Sequence, residues 1–143
     1  MPKAARITIA QFHEILRVGA PFAAQFGVEV TELTPERAVF RLPYREDFLR
    51  PGGTISGPMM MGLADLALYG AVLAAIGHQE LAVTTNLSIN FLKKPPPAAL
   101  RAEAKLLKLG KRLAVGEVAI YSEGDPDMVA HCTATYSIPP RAD

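Results

Sequence analysis

The sequence predicts an α+β protein in which an antiparallel sheet of about six strands wraps one long central helix, with a short helix ahead of it. Three observations carry this. The run MMMGLADLALYGAVLAAI, from Met59 to Ile76, is apolar almost throughout and long enough for about five helical turns. Four strand-like segments joined by turn signals follow it, and two more precede it. Such a sheet has one apolar face to cover, and the chain offers a single long helix to cover it.

Thr8 and Gln11 have capping-box spacing, and Ile9, Phe12, Ile15 and Leu16 follow at helical intervals until Gly19, which predicts a short amphipathic helix. Pro21 and Gly27 bracket an irregular piece. Val28 to Leu33 and Ala38 to Tyr44 read as a hairpin around Thr34-Pro35-Glu36. Arg45 to Ile55, with Pro51, Gly52 and Gly53, reads as a loop that delivers the chain to the long helix, which stops at Gly77. Val83 to Leu92 alternates, with Val83, Thr85, Leu87, Ile89 and Phe91 assigned to the core face and Thr84, Asn86, Ser88 and Asn90 to the wet one. Leu100 to Leu109, Leu113 to Tyr121 and Met128 to Ile138 complete the sheet through turns at Gly110-Lys111-Arg112 and Glu123-Gly124-Asp125-Pro126. Parity in the last strand puts Cys132 and Tyr136 inward and His131 outward. A helix apolar nearly all round must bury its second side as well, which predicts a homodimer.

The functional signal is Asp65. Apart from the phenol of Tyr69 it is the only ionisable side chain in the apolar run, and an unpaired carboxylate removed from water is costly without a partner, a wet cleft or a task. A membrane span is disfavoured, because the run is slightly short, rich in Ala and Gly, and carries a central acid. The 143 residues, 50% hydrophobic and 20% charged, suffice for one domain with a real core, expected over 1–143. A net charge of +1 lacks the basic excess that nucleic acid demands. Cys132 is the only cysteine, so no internal disulfide forms, and Met1 to Phe12 has no signal-peptide apolar core; the expected location is the cytoplasm. His13, His78 and His131 lack metal-ligand spacing, and no nucleophile elbow, phosphate loop or dinucleotide fingerprint occurs, so neither metal nor cofactor is expected.

At this point the residues carry a resemblance. The element order, with GGTISGPMMMGLAD opening the long helix and AVTTNLSINFLKKP next, resembles the hotdog-fold acyl-CoA thioesterases of the phenylacetate-degradation type, over a core of about 22–139. In that family the carboxylate eight residues after a helix-opening glycine is the catalytic acid, a pattern that Gly57 and Asp65 match. Relatives usually open with His-Gly-Gly where this chain has Ser56-Gly57-Pro58, and often carry Asn where it has Arg50. Ser56 as N-cap and Pro58 in the first turn explain that difference structurally.

Thioester hydrolysis needs a nucleophile or base and a donor for the carbonyl oxyanion. Asp65 fits the first role and the Gly57 amide, at a helix N-terminus, the second. Eight helical residues separate them by about 12 Å, too far to serve one carbonyl together. Two helices packed antiparallel about a two-fold axis set each N-terminus beside the other's middle, giving composite sites at a subunit interface, in a dimer or a dimer of dimers. The substrate is expected to be an acyl-CoA, with contacts from Arg50, Ser56, Pro58, Met61 and Asn86, and with Lys93, Lys94 and Arg112 meeting phosphates. The alternatives are a non-catalytic acyl-CoA binding protein and, less favoured for want of a histidine placed beside the acid, a hotdog dehydratase.

Overall fold

Helix α1 (Ile9–Gly19) starts at the expected capping box: the Gln11 amide donates to Thr8 Oγ1 at 3.0 Å and the Thr8 amide to Gln11 Oε1 at 2.9 Å. The computed structural model describes residues 4–140; residues 1–3 and 141–143 of the expected 1–143 domain lie outside the described residues. A four-residue helix α2 (Pro21–Ala24), opened by Pro21, occupies the piece read as irregular. Strands β1 (Glu29–Leu33) and β2 (Arg37–Leu42) form the first hairpin. The segment read as a loop holds a single 3-10 turn, Glu46–Phe48, and a two-stranded ribbon of β3 (Leu49–Arg50) and β4 (Thr54–Ile55). Its tip needs left-handed backbone, which Gly52 and Gly53 supply at φ 99° and 76°. The long helix α3 runs from Gly57 to Ile76 and stops on Gly77.

Strands β5 (Val83–Phe91), β6 (Leu100–Leu109), β7 (Leu113–Ser122) and β8 (Met128–Ser137) complete an antiparallel sheet in the order β1-β2-β6-β7-β8-β5. It curls around α3, whose Leu63, Leu68, Val72 and Leu73 are wholly buried. The close fit depends on Gly116 in β7: a Cβ there would overlap the Leu68 side chain and sit 2.9 Å from the Lys105 carbonyl oxygen. Cys132 lies in the core and His131 on the outer face, where it meets Glu117 at 3.2 Å.

The packing argument for a second copy and the face assignment in β5 need correction. The far side of α3 is covered largely by the chain's own N-terminal third. The Arg6 amide donates to the Ala74 carbonyl at 2.8 Å, the Phe12 ring packs 5.9 Å from Tyr69, and Phe26 fills the space left by Gly62. An all-apolar helix is therefore no proof of a second copy, although Pro58 and Met61 stay exposed. The second correction concerns β5. A bulge there pairs Thr84 with Tyr136 and Asn86 with Thr135, so Thr85 is an extra residue and the side-chain phase flips. Thr84 turns inward in place of Val83 and Thr85, both of which are exposed.

Candidate active site

The bulge delivers a partner to the helix acid. The Thr84 hydroxyl donates to Asp65 Oδ1 at 2.6 Å. The Tyr136 hydroxyl, from the inward face of β8, lies within hydrogen-bond reach of that same oxygen and of the Asp65 carbonyl, the latter at 2.9 Å. Both partners therefore hold Oδ1, while Oδ2 accepts no bond from any described group. Asp65 lines a cavity of about 390 Å³ between the N-terminal helices and the start of β5.

Neighbouring groups leave the carboxylate as the reactive one. Burial, and then the Asp65 charge, push the Tyr136 phenol up, so it stays protonated and donates. The same two causes push the Cys132 thiol up to about 11, which keeps it inert near neutrality. Tyr69 is pushed up to about 12 by burial and by the charge of Glu80; its hydroxyl donates to the Glu80 carbonyl at 2.9 Å and its ring stacks on Tyr136 at 6.0 Å. A carboxylate that lines a cavity, with one oxygen anchored and the other without a described partner, can take a proton from water or attack a carbonyl.

A second cavity, about 380 Å³, lies at the start of α3 and gathers Arg50, Gly57, Lys93 and Lys94 with Met60 and Phe91. Ser56 takes the N-cap position but its hydroxyl makes no capping bond, so the capping account of this residue does not hold. The N–H of Gly57, the first residue of the helix, has no hydrogen-bond partner among the described residues and stands at the positive end of the helix. Lys93 is committed to Asp125 at 2.9 Å and Asp127 at 3.5 Å, whereas Lys94 has no carboxylate partner among the described residues. Arg50 donates to the Pro51 carbonyl at 3.1 Å.

The structure thus brings Arg50, Gly57, Lys93 and Lys94 together and puts Asp65 in a separate cavity of the same chain. Met60, rather than Met61, lines the Gly57 cavity. Pro58 and Met61 are exposed on α3, and Asn86 is exposed just after the bulge, lining neither cavity. Arg112 sits near the opposite end of α3, with Arg6 and Lys111, and donates to the Ile138 carbonyl at 3.1 Å. Sequence reasoning missed Thr84 and Tyr136 as partners of Asp65. The inward parity of Tyr136 was the available signal; for Thr84 the bulge erased it. Neither cavity is lined by a histidine, and among the described residues no three His, Cys, Asp or Glu side chains are grouped to hold a metal.

Residues 52–129, which include both Gly57 and Asp65, match the thioesterase superfamily. The chain belongs to that superfamily. It is similar to a crystal structure from Silicibacter sp. assigned as a thioesterase, at 42% identity over 95% of this chain and 94% of that one, with a TM-score of 0.86. It is also similar to the phenylacetic acid degradation protein PaaI of Thermus thermophilus, at 30% identity over 83% of this chain and 99% of that one, with a TM-score of 0.74. A Saccharolobus solfataricus protein assigned as an esterase is 28% identical over 130 residues, 91% of each chain. The fold is the hotdog fold, and the superfamily is one of hydrolases.

Proposed function

We propose that the protein is an acyl-CoA thioesterase that works as a homodimer, with Asp65 as nucleophile or general base and the Gly57 amide of the partner subunit as oxyanion donor. The observation that carries this is the division of labour within one chain. Asp65 Oδ2 is free in one cavity, and the unpaired Gly57 N–H lies in another about 12 Å away along α3. An antiparallel pair of α3 helices brings one of each to the same carbonyl. As a base, Asp65 takes a proton from water while the hydroxide adds to the thioester carbonyl. The C–S bond then breaks and coenzyme A leaves as a thiolate that regains a proton. As a nucleophile, Asp65 adds to the thioester carbonyl and expels coenzyme A as the thiolate, and water then opens the resulting mixed anhydride to the free acid and the Asp65 carboxylate.

Strand β5 supports the pairing. It is an edge strand of the six-stranded sheet, nine residues long, and exposes Val83 (56%) and Phe91 (49%). Such an edge is a template for another strand, and a second copy is the partner that completes both sites. The test is a panel of acyl-CoAs with short, medium, long and aromatic acyl groups, followed by release of free thiol. Hydrolysis of at least one is expected; turnover of none moves the reading to a non-catalytic acyl-CoA binding protein.

Lys94 and Arg50 are the expected contacts for coenzyme A phosphates, because they share the Gly57 cavity and Lys94 has no carboxylate to neutralise it. Replacing both by Ala is expected to raise KM for acyl-CoA several-fold at low salt, with kcat nearly unchanged, since the phosphates are remote from the reacting bond. Unchanged KM removes these two residues from the clamp and leaves Asp65 untouched.

A further inference from the structure

The cavity beside Asp65 has a composition of its own. Its walls are Ile15, Leu16, Ala20 and Ala23 from the N-terminal helices, facing Leu66 of α3 and Val83 of β5. Asp65 and Glu80 are its charged residues, and no lysine, arginine or histidine lines it. At about 390 Å³ it lies toward the small end of the roughly 300–1,000 Å³ common for small-molecule pockets. The four N-terminal wall residues all precede residue 52, where the match to the superfamily begins.

We propose that this cavity takes the acyl group of the thioester, that the wall from the N-terminal helices sets how large that group is, and that the preferred substrates carry a neutral, apolar acyl chain of modest length rather than one ending in a carboxylate. The proposal rests on the thioesterase reading, because it places the reacting carbonyl at Asp65 Oδ2. Apolar walls reward each methylene removed from water, until the chain reaches the α1–α2 wall. Ala20 and Ala23 carry only a methyl group each, so they leave the space that the acyl chain fills, and a larger side chain at either position shortens it. A terminal carboxylate on the acyl chain would enter a space whose walls carry Asp65 and Glu80 and no lysine, arginine or histidine, His78 meeting Glu80 at 3.0 Å from outside those walls, so like-charge repulsion and lost hydration both oppose it. Glu80 stays ionised: a hydrogen bond from its own backbone and then its contact with His78 hold its carboxyl below the usual range.

The experiment compares kcat/KM for acetyl-, hexanoyl-, palmitoyl- and glutaryl-CoA in wild type and in folded Ala23→Leu, with Ala20→Leu as a second variant should the first not fold. Expected are at least a tenfold preference for hexanoyl- over glutaryl-CoA in wild type, and at least a tenfold fall in the hexanoyl-to-acetyl ratio in the variant. Equal use of glutaryl- and hexanoyl-CoA, or an unchanged ratio in the variant, overturns the proposal while leaving hydrolysis at Asp65 intact. A binding measurement separates the two readings. On an Asp65→Asn background, calorimetry of hexanoyl-CoA against free coenzyme A reports the cavity without turnover. Tighter binding of hexanoyl-CoA, lost on adding Ala23→Leu, supports the acyl site even where no acyl-CoA is hydrolysed. Equal binding of the two ligands overturns it.

Discussion

Asp65→Asn is expected to fold, to elute at the wild-type size, and to hydrolyse acyl-CoA about 10²–10⁴-fold more slowly, the range that a positioned acid or base supplies. The amide oxygen of Asn still accepts from Thr84 and Tyr136, the partners that hold Oδ1 in the native chain, so no buried donor is orphaned. What is lost is the second oxygen. An amide nitrogen in the place of Oδ2 neither takes a proton from water nor attacks a carbonyl. Circular dichroism, size-exclusion chromatography and thiol release on the same preparation settle the matter. Near-wild-type kcat in a folded dimer would sink the assignment, and a purely structural acid predicts the reverse outcome: lower stability with activity per folded molecule retained.

Mixing two inactive chains is expected to restore activity. A Gly57→Pro chain lacks the oxyanion N–H and an Asp65→Asn chain lacks the acid, so each homodimer has two defective sites. After subunit exchange, every mixed dimer holds one intact site, with Asp65 from the first chain and the Gly57 amide from the second. Random pairing makes about half the dimers mixed with one working site of two, so about a quarter of wild-type activity is the ceiling. Position 57 precedes Pro58, which disfavours helical backbone at a residue that bears a Cβ, so folding of the variant is established by circular dichroism before mixing. Position 57 is the first residue of α3, where proline is favoured, and Ser56 before it already has the extended backbone that a following proline requires, at ψ 150°. An added Cβ meets the Phe91 ring at 3.2 Å, so that ring must shift by a few tenths of an ångström. Verified mixed dimers without activity, made from folded parents, would falsify the shared site.

The sequence carried the large elements and lost the small couplings. The capping box at Thr8 and Gln11, the run from Met59 to Ile76 and the three strands after Ala99 are local signals, and each is found where periodicity and turn chemistry place it. Alternation failed at β5, because one extra residue at Thr85 reverses every side chain on one side of it, and nothing in Val83 to Phe91 marks the spot. That single reversal hid Thr84. Tyr136 was placed on the correct face, but its bond to a residue 71 positions away is a tertiary fact that strand parity does not contain. Periodicity likewise gave α1 an apolar face without saying that the face covers α3. The ribbon of β3 and β4 spans two residues a strand, too short for alternation to register. Asp65 and Gly57 were legible because a charge in an apolar run and a glycine at a helix start stand out within their own neighbourhoods.

The bare start of α3 has a consequence for how long the protein lasts. A serine cap that closes its hydrogen bond typically contributes about 0.5–2 kcal/mol to a helix, and Ser56 forgoes it. A carbonyl or anion that pairs with the open Gly57 amide binds the folded chain and not the unfolded one. Stability therefore rises with the concentration of that ligand, by about 2.7 kcal/mol at a hundred times its dissociation constant. Under the proposed function, the folded chain is therefore expected to resist heat and proteolysis better when such a ligand is added, which a melting curve with and without coenzyme A checks.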